Sequence, residues 1–253
     1  MTPWPRVLAV VPARSGSQGL PGKSIRDLAG LPLIGHAVAC ARLSPVVTRC
    51  IVSTDSPEIA EVAAALGADV PFLRPVELAR GDTPMAPVLR HALEVVEAGG
   101  DEPYEFLLLL DPTSPSRDPD DIGTAVELLS RDPSADGVVT ISEPRVNPLF
   151  VGVTTTSGYL RRAVPDQSPI TRRQDAQRFL QINGALYLWR CGFLRAGVTS
   201  WLDEGRHLSL ETPDELAHSI DTDTDFRVAE ALIQHRIVVL PWLTVPATEP
   251  GRS

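Results

Sequence analysis

Gly16, Gly19 and Gly22, with Arg14 ahead of them and Lys23 behind, follow directly on an apolar run that ends at Val11. Glycines let backbone N–H groups approach an anion closely, and the two cations can neutralise charge that builds on phosphoryl oxygens as a bond breaks. That is the chemistry of a triphosphate cradle. Gly22-Lys23-Ser24 looks like the end of a Walker A motif and Phe106 to Asp111 like a Walker B strand, which makes a P-loop phosphotransferase a rival. The spacing departs from it, because a P-loop has glycine where this chain has Ser17, and Pro21 has no N–H to give to the nest. Glycines spaced by threes are also not the G-x-G-x-x-G of a dinucleotide-binding turn, and Pro12 interrupts the approach from the strand.

The elements that must hold this loop alternate between two periods. Arg6 to Val11 reads as a buried strand, and Leu33, Ile34, Ala37, Val38 and Ala41 fall at helical spacing behind Pro32. A strand over 49–53, helices over 57–66 and 85–96, a strand over 106–110, a helix over 119–129 and a strand over 137–141 follow. The rhythm returns with a strand over 184–189 and a helix over 225–235. Such alternation predicts an α/β fold, a mainly parallel sheet with helices on both faces. Ligands of these sheets sit beyond the carboxyl ends of the strands. The glycine loop, Ser53-Thr54-Asp55 and Asp111-Pro112-Thr113-Ser114-Pro115 all fall there. Residues 1–142 and 179–240 are expected to form the core, 143–178 an inserted arm rich in Pro, Thr and Arg, and 241–253 a loose Pro-rich tail.

With 253 residues and 43% apolar content the chain can bury a sizeable core. Against 23 basic residues stand 32 acidic ones, a net charge of -9 that argues against nucleic acid or an anionic membrane surface as partner. An anionic small molecule must then be drawn in by a local set of cations, and Arg14, Lys23 and Arg172-Arg173 are the candidates. The apolar runs fall short of the ~20 residues that span a bilayer, and the N-terminus lacks a signal-peptide pattern. A cytoplasmic enzyme is expected. Cys40, Cys50 and Cys191 show neither disulfide nor zinc spacing and are expected to be buried apolar side chains.

Several blocks lie in order along the chain: Ala13-Arg14-x-Gly16-Ser17-x-Gly19-Leu20-Pro21-x-Lys23, Val52-Ser53-Thr54-Asp55, Leu73-Arg74-Pro75, Pro112-Thr113-Ser114-Pro115-x-Arg117, Arg172-Arg173-Gln174-Asp175, Asn183-Gly184-Ala185-x-Tyr187 and Ser219-Ile220-Asp221-x-Asp223-Thr224. Together they resemble the acylneuraminate (CMP-sialic acid synthetase) cytidylyltransferases over nearly the whole chain to about residue 235. The resemblance implies a three-layer α/β/α, Rossmann-like nucleotidyltransferase that moves CMP from CTP to the hydroxyl of a 2-keto sugar acid and releases pyrophosphate. It implies that Arg14 and Lys23 act on the β- and γ-phosphates, within a nucleotide site that includes Ala13, Gly16, Ser17, Gly19 and Ser24, and that Arg74 lies near the cytidine. Asp221 and Asp223 match a Mg²⁺-binding pair; in an extended segment their i, i+2 spacing puts both carboxylates on one side, while Asp223 or Thr224 could equally start the last helix. The arm would reach the partner subunit of a homodimer, with Arg172, Arg173 and Gln174 at its end and Asn183 and Tyr187 beside a small anionic acceptor.

The chain also departs from the family pattern. Gln18, Ser24 and Asp111 stand where the family has lysine, asparagine and glutamine, and Phe150 and Gln181-Ile182 alter the acceptor side. Fewer phosphate cations leave more to Arg14 and Lys23. Related enzymes that make CMP-activated octulosonates place a metal aspartate near the strand end of Asp111, so Asp111 is expected to join Asp221 and Asp223 as a third metal carboxylate. These changes point away from N-acetylneuraminate as acceptor. Another nonulosonate, a shorter keto acid sugar or a phosphonate stays open, as does a non-catalytic nucleotide-binding role.

Overall fold

Val7–Pro12 (β1) is buried at every position. A strand without a wet face needs a neighbour on each edge and a layer on each side. The neighbours are Arg49–Ser53 (β4) and Phe106–Leu109 (β5), both parallel to β1. The computed structural model describes residues 4–16, 19–163, 172 and 177–243. Gly137–Ser142 (β6), Gln181–Arg190 (β9) and His207–Glu211 (β10) complete a six-stranded sheet in the order β10-β6-β9-β5-β1-β4. The strand β9 runs antiparallel to both β5 and β6, and β10 runs parallel to β6. The edge strand β10 has no counterpart among the expected elements, since five residues with leucine at alternate positions give too short a period to stand out.

The layers follow the alternation of β1. Val7, Ala9 and Val11 face a cluster built with Leu33–Leu43 (α1), Pro57–Ala65 (α2) and Asp120–Arg131 (α4), while Leu8 and Val10 face Met85–Ala98 (α3) and Cys191–Arg195 (α6). This is the expected three-layer α/β/α arrangement. Burial pushes the thiols of Cys40, Cys50 and Cys191 up to about 12, so they behave as apolar side chains. A third cluster, Leu28, Leu33, Ile220, Phe226 and Ala229, joins the short hairpin of Asp27–Leu28 (β2) and Leu31–Pro32 (β3) to Asp223–Gln234 (α8). That cluster fixes the segment before α8 against the glycine loop. Thr222 and Asp225 form a capping box at its start.

Within 143–178 the described residues form Pro148–Val151 (α5) and a separate hairpin of Val153–Thr156 (β7) and Tyr159–Arg162 (β8), exposed throughout. Ser157 and Gly158 at its turn both have positive φ, 52° and 81°, as a two-residue hairpin turn requires. Beyond β9 lie α6 and Trp201–Glu204 (α7). Pro241–Leu243 form a single turn in which Trp242 donates to Nδ1 of the fully buried His36 at 3.0 Å, leaving Nε2–H to donate to the Leu28 carbonyl at 2.9 Å. No helix among the described residues is long and apolar enough to cross a membrane.

One titration in this frame has a measurable signature. Asp121, in the first turn of α4, has its pKa raised to about 6 by burial and by the carboxylates of Asp118 and Asp120. A raised folded pKa means that the folded state binds more protons between about pH 4 and 6, so this group's contribution to stability is lost as pH rises through that window. Asp121→Asn should therefore gain stability relative to the unmodified protein between pH 4 and pH 6. Solvent screening of a half-exposed group limits the gain to about 1 kcal/mol. Urea midpoints measured across that range check it; parallel curves would contradict it.

Candidate active site

Where β1 ends, Ala13 N–H continues the ladder to the Ser53 carbonyl at 2.9 Å. Ser15 then ties the loop down, its N–H donating to Asp55 Oδ1 at 2.9 Å and its hydroxyl to Oδ2 at 2.7 Å. Burial works to raise the Asp55 pKa, but these hydrogen bonds outweigh it and hold the carboxyl below its usual value. Asp55 is thus the anchor of the glycine loop. Asp55→Asn keeps the shape and removes the charge, so a phosphorylated ligand held by the loop should bind about tenfold more weakly, as for loss of charge-assisted bonds. Titration calorimetry with nucleoside triphosphates decides it.

The next strand end brings in Arg74. It is 5% exposed, with Nε donating to Ser53 Oγ at 3.1 Å and Nη2 donating to the Ser53 carbonyl. Burial, aided by Arg14 and opposed by Asp55, lowers its pKa to about 10, so it stays a cation at neutral pH. An arginine before proline reads in sequence as an exposed residue; the fold buries it in a cleft wall.

Gly22 sits at φ +66°, the left-handed turn that starts the short helix Lys23–Ile25. Gly19 has a different need, because a Cβ there would collide with the Asp221 carbonyl. The loop is therefore packed onto the segment before α8. Lys23 Nζ bonds the Ile220 carbonyl at 3.0 Å and Asp221 Oδ1 at 3.1 Å, while Ile220 N–H donates to the Thr113 carbonyl at 2.7 Å. Three loops from distant parts of the chain thus meet at one point.

The cleft they enclose measures about 480 Å³. Ala13, Arg14, Gly19, Lys23, Ser24 and Arg74 line it together with Asp111 to Ser114, Gly184, Tyr187, Ser219 and Asp221, with Pro12 and Met85 adding apolar surface. Arg14 makes no ion pair with the described residues, so its charge is available to a ligand. Asp111 Oδ1 accepts from Thr113 N–H at 2.9 Å. Tyr187 stacks on Trp189 with ring centroids 5.5 Å apart, and burial followed by the nearby Asp111 raises its hydroxyl pKa, keeping it a neutral donor.

Other expected site residues lie elsewhere. Asp223 does not share the cleft with Asp221: it opens α8, and its oxygens accept from Arg26 and Arg227, each at 2.8 Å. Those guanidinium hydrogen bonds lower its pKa, and Arg26 also stacks over Phe226 at 4.0 Å. Two carboxylates rather than three face the cleft, and the described residues contain no group of three or more His, Cys, Asp or Glu able to hold a metal by themselves. Asn183 is also turned inward, Nδ2 donating to Thr212 Oγ1 at 2.7 Å and Oδ1 accepting from Ala185 N–H at 3.1 Å. Gly16 has open space around it, and Arg172 is exposed away from the cleft. Ser17, Arg173 and Gln174 lie outside the described residues.

Cations and a pair of hard carboxylates lining one polar cleft, at the carboxyl ends of a mainly parallel sheet, suit a nucleoside triphosphate with a divalent ion. A protein-family model described as cytidylyltransferase matches residues 8–117. Over 231 residues the chain is 32% identical to a CMP-N,N'-diacetyllegionaminic acid synthase of Legionella pneumophila, covering 90% of this chain and 97% of that protein. The chain belongs to the cytidylyltransferase family. As a CTP-dependent nucleotidyltransferase, this cytidylyltransferase is also 31% identical over 228 residues to the enzyme of the same name from Campylobacter jejuni, with coverage of 90% and 94%. In fold it is similar to a solved CMP:2-keto-3-deoxy-manno-octonic acid synthetase complexed with CTP, at TM-score 0.68 and 21% identity over 91% of this cytidylyltransferase and 99% of that chain.

Proposed function

We propose that this cytidylyltransferase transfers CMP from CTP to the hydroxyl of a nonulosonate or related 2-keto sugar acid and releases pyrophosphate. The observation that carries the reading is the cleft itself, which Arg14, Lys23 and Arg74 line together with Asp111 and Asp221. The relatives suggest the acceptor class, since they are CMP-N,N'-diacetyllegionaminic acid synthases.

Arg14 and Lys23 hold the β- and γ-phosphates with the backbone of Ala13, Gly19 and Ser24, and Arg74 faces the cytidine. The acceptor oxygen attacks the α-phosphorus in line, the bond to the β-phosphate oxygen breaks, and the hydroxyl proton leaves to solvent. No protein nucleophile is required. Asp111 and Asp221 fit Mg²⁺ because that ion is held by one or two carboxylates plus substrate phosphates rather than by an all-protein cage. When bound there, Mg²⁺ supplies charge for the α-phosphate and lowers the pKa of the attacking hydroxyl. Asp223 serves the site from behind, pinning α8 through Arg26.

In this reading Tyr187 donates to the acceptor, and Asn183 acts on it through the backbone of Ala185. The exposed Val153, Tyr159 and Leu160 of the arm support a homodimer in which Arg172, Arg173 and Gln174 meet the acceptor of the partner subunit. The net charge of -9 agrees with a cytoplasmic enzyme of small anions rather than one of nucleic acid or membranes. Pyrophosphate release tested with CTP, UTP and ATP against N,N'-diacetyllegionaminate, N-acetylneuraminate, 2-keto-3-deoxy-octulosonate and a phosphonate tests the reading. CTP with a keto sugar acid should be active, and activity confined to ATP with ADP as product would overturn it.

A further inference from the structure

Arg117 lies under the floor of the cleft with 4% of its surface exposed. Its Nη2 donates to the main-chain carbonyl of Asp111 and its Nε to that of Ala185. Its Nη1 is buried and has no hydrogen-bond partner among the described residues. Burying a guanidinium with its Nη1 unsatisfied is costly, and an apolar side chain of similar volume fills such a space without that cost. A filling role therefore does not account for this residue. The two carbonyls it joins do.

They belong to neighbouring strands, one just after the end of β5 and the other within β9. Regular pairing of β9 with β5 stops at Leu109 and Tyr187, and its pairing with β6 shifts register between Val139 and Ile141. Bulges of this kind re-aim side chains beside active sites. The irregular stretch begins next to Tyr187 and brings Gly184 to the cleft, which Asp111 also lines. Side chains replace the missing ladder: Thr140 Oγ1 accepts from Leu186 N–H at 2.9 Å, and Asn183 Oδ1 accepts from Ala185 N–H at 3.1 Å. Neither crosses to the end of β5. Arg117 does, with one rigid fork holding the bulge and the Asp111 backbone at a fixed separation. The wall has little slack, since a Cβ on Gly184, at φ +76°, would come within 3.1 Å of Ser114 Oγ and 3.9 Å of the Tyr187 hydroxyl.

The geometry points to Arg117 as a positioning residue that sets the distance between Asp111 and the Gly184–Tyr187 bulge, and so governs the acceptor and the divalent cation rather than the triphosphate. This rests on the reaction proposed above. The glycine loop, Asp55 and Arg74 are held without Arg117, so its loss should divide the ligands into two groups.

Arg117→Lys keeps the stem and the charge but loses the fork. The expected result is an acceptor KM raised at least tenfold, kcat lowered about tenfold and Mn²⁺ binding, read by electron paramagnetic resonance, weakened several-fold, while CTP binding measured without divalent cation stays within twofold. Asn183→Ser releases the same bulge from its other side and should give the same split, which decides the matter if Arg117→Lys does not fold. An acceptor KM and kcat within twofold of the unmodified enzyme, or CTP binding weakened as much as the acceptor, would overturn the inference while leaving the reaction intact. If the unmodified enzyme turns over no keto sugar acid, the functional reading fails, and the split between Mn²⁺ and CTP binding still decides the role of Arg117.

Discussion

Lys23→Ala should lower kcat for pyrophosphate release by about a thousandfold and leave the fold intact. A cation aimed at the leaving phosphates contributes about 10³–10⁵ in phosphoryl transfer, and sharing with Arg14 places Lys23 near the lower figure. The ammonium is well aimed, because its side chain is 14% exposed and tethered to the Ile220 carbonyl. Its ion pair with Asp221 contributes little to folding, since that carboxylate is 70% exposed and such pairs are worth at most about 1 kcal/mol. Thermal melting should thus fall by only a few degrees while the rate collapses. The variant also leaves Asp221 uncompensated beside an incoming triphosphate, so the KM for CTP should rise as well. A kcat within tenfold of the unmodified enzyme, in a sample melting cooperatively, would remove Lys23 from the reaction.

The residues that made this testable differ in how plainly the sequence shows them. β1 and the glycine loop are legible because burial on both faces demands an unbroken apolar run, and because Gly19 and Gly22 answer separate steric needs, close approach to Asp221 and a positive φ. The direction of β9 is not legible, since apolar residues alternate alike in parallel and antiparallel strands. Asp223 looks equivalent to Asp221 in a local reading. Arg227 is its i+4 neighbour in sequence, but only the third dimension supplies Arg26, and both engage it outside the cleft. Asn183 and Arg117 show the converse, polar side chains within motifs whose hydrogen bonds go to neighbouring backbone and, for Asn183, to the Thr212 hydroxyl. The Ser15–Asp55 clasp spans 40 residues, and neither residue signals the other.

Asp111→Asn and Asp221→Asn should each lower kcat/KM in Mg²⁺ by about a hundredfold, the scale of losing one charged contact to the ion that stabilises the transition state. Asparagine keeps the size and one oxygen of each side chain, so the Thr113 N–H bond to residue 111 survives and the fold is not at issue. If both carboxylates serve one cation, their effects are not independent, and the double variant should fall well short of the ten-thousandfold loss that additivity gives. Mn²⁺ binding should weaken in both single variants, which separates loss of the ion from loss of some other contact. Asp223→Asn supplies the contrast: its carboxylate is engaged by Arg26 and Arg227 outside the cleft, so its kcat/KM should stay within about threefold, as for an exposed ion pair. Equal losses at all three positions would mean that Asp223 swings into the cleft when the nucleotide binds, and additive losses at Asp111 and Asp221 would mean that they serve different partners.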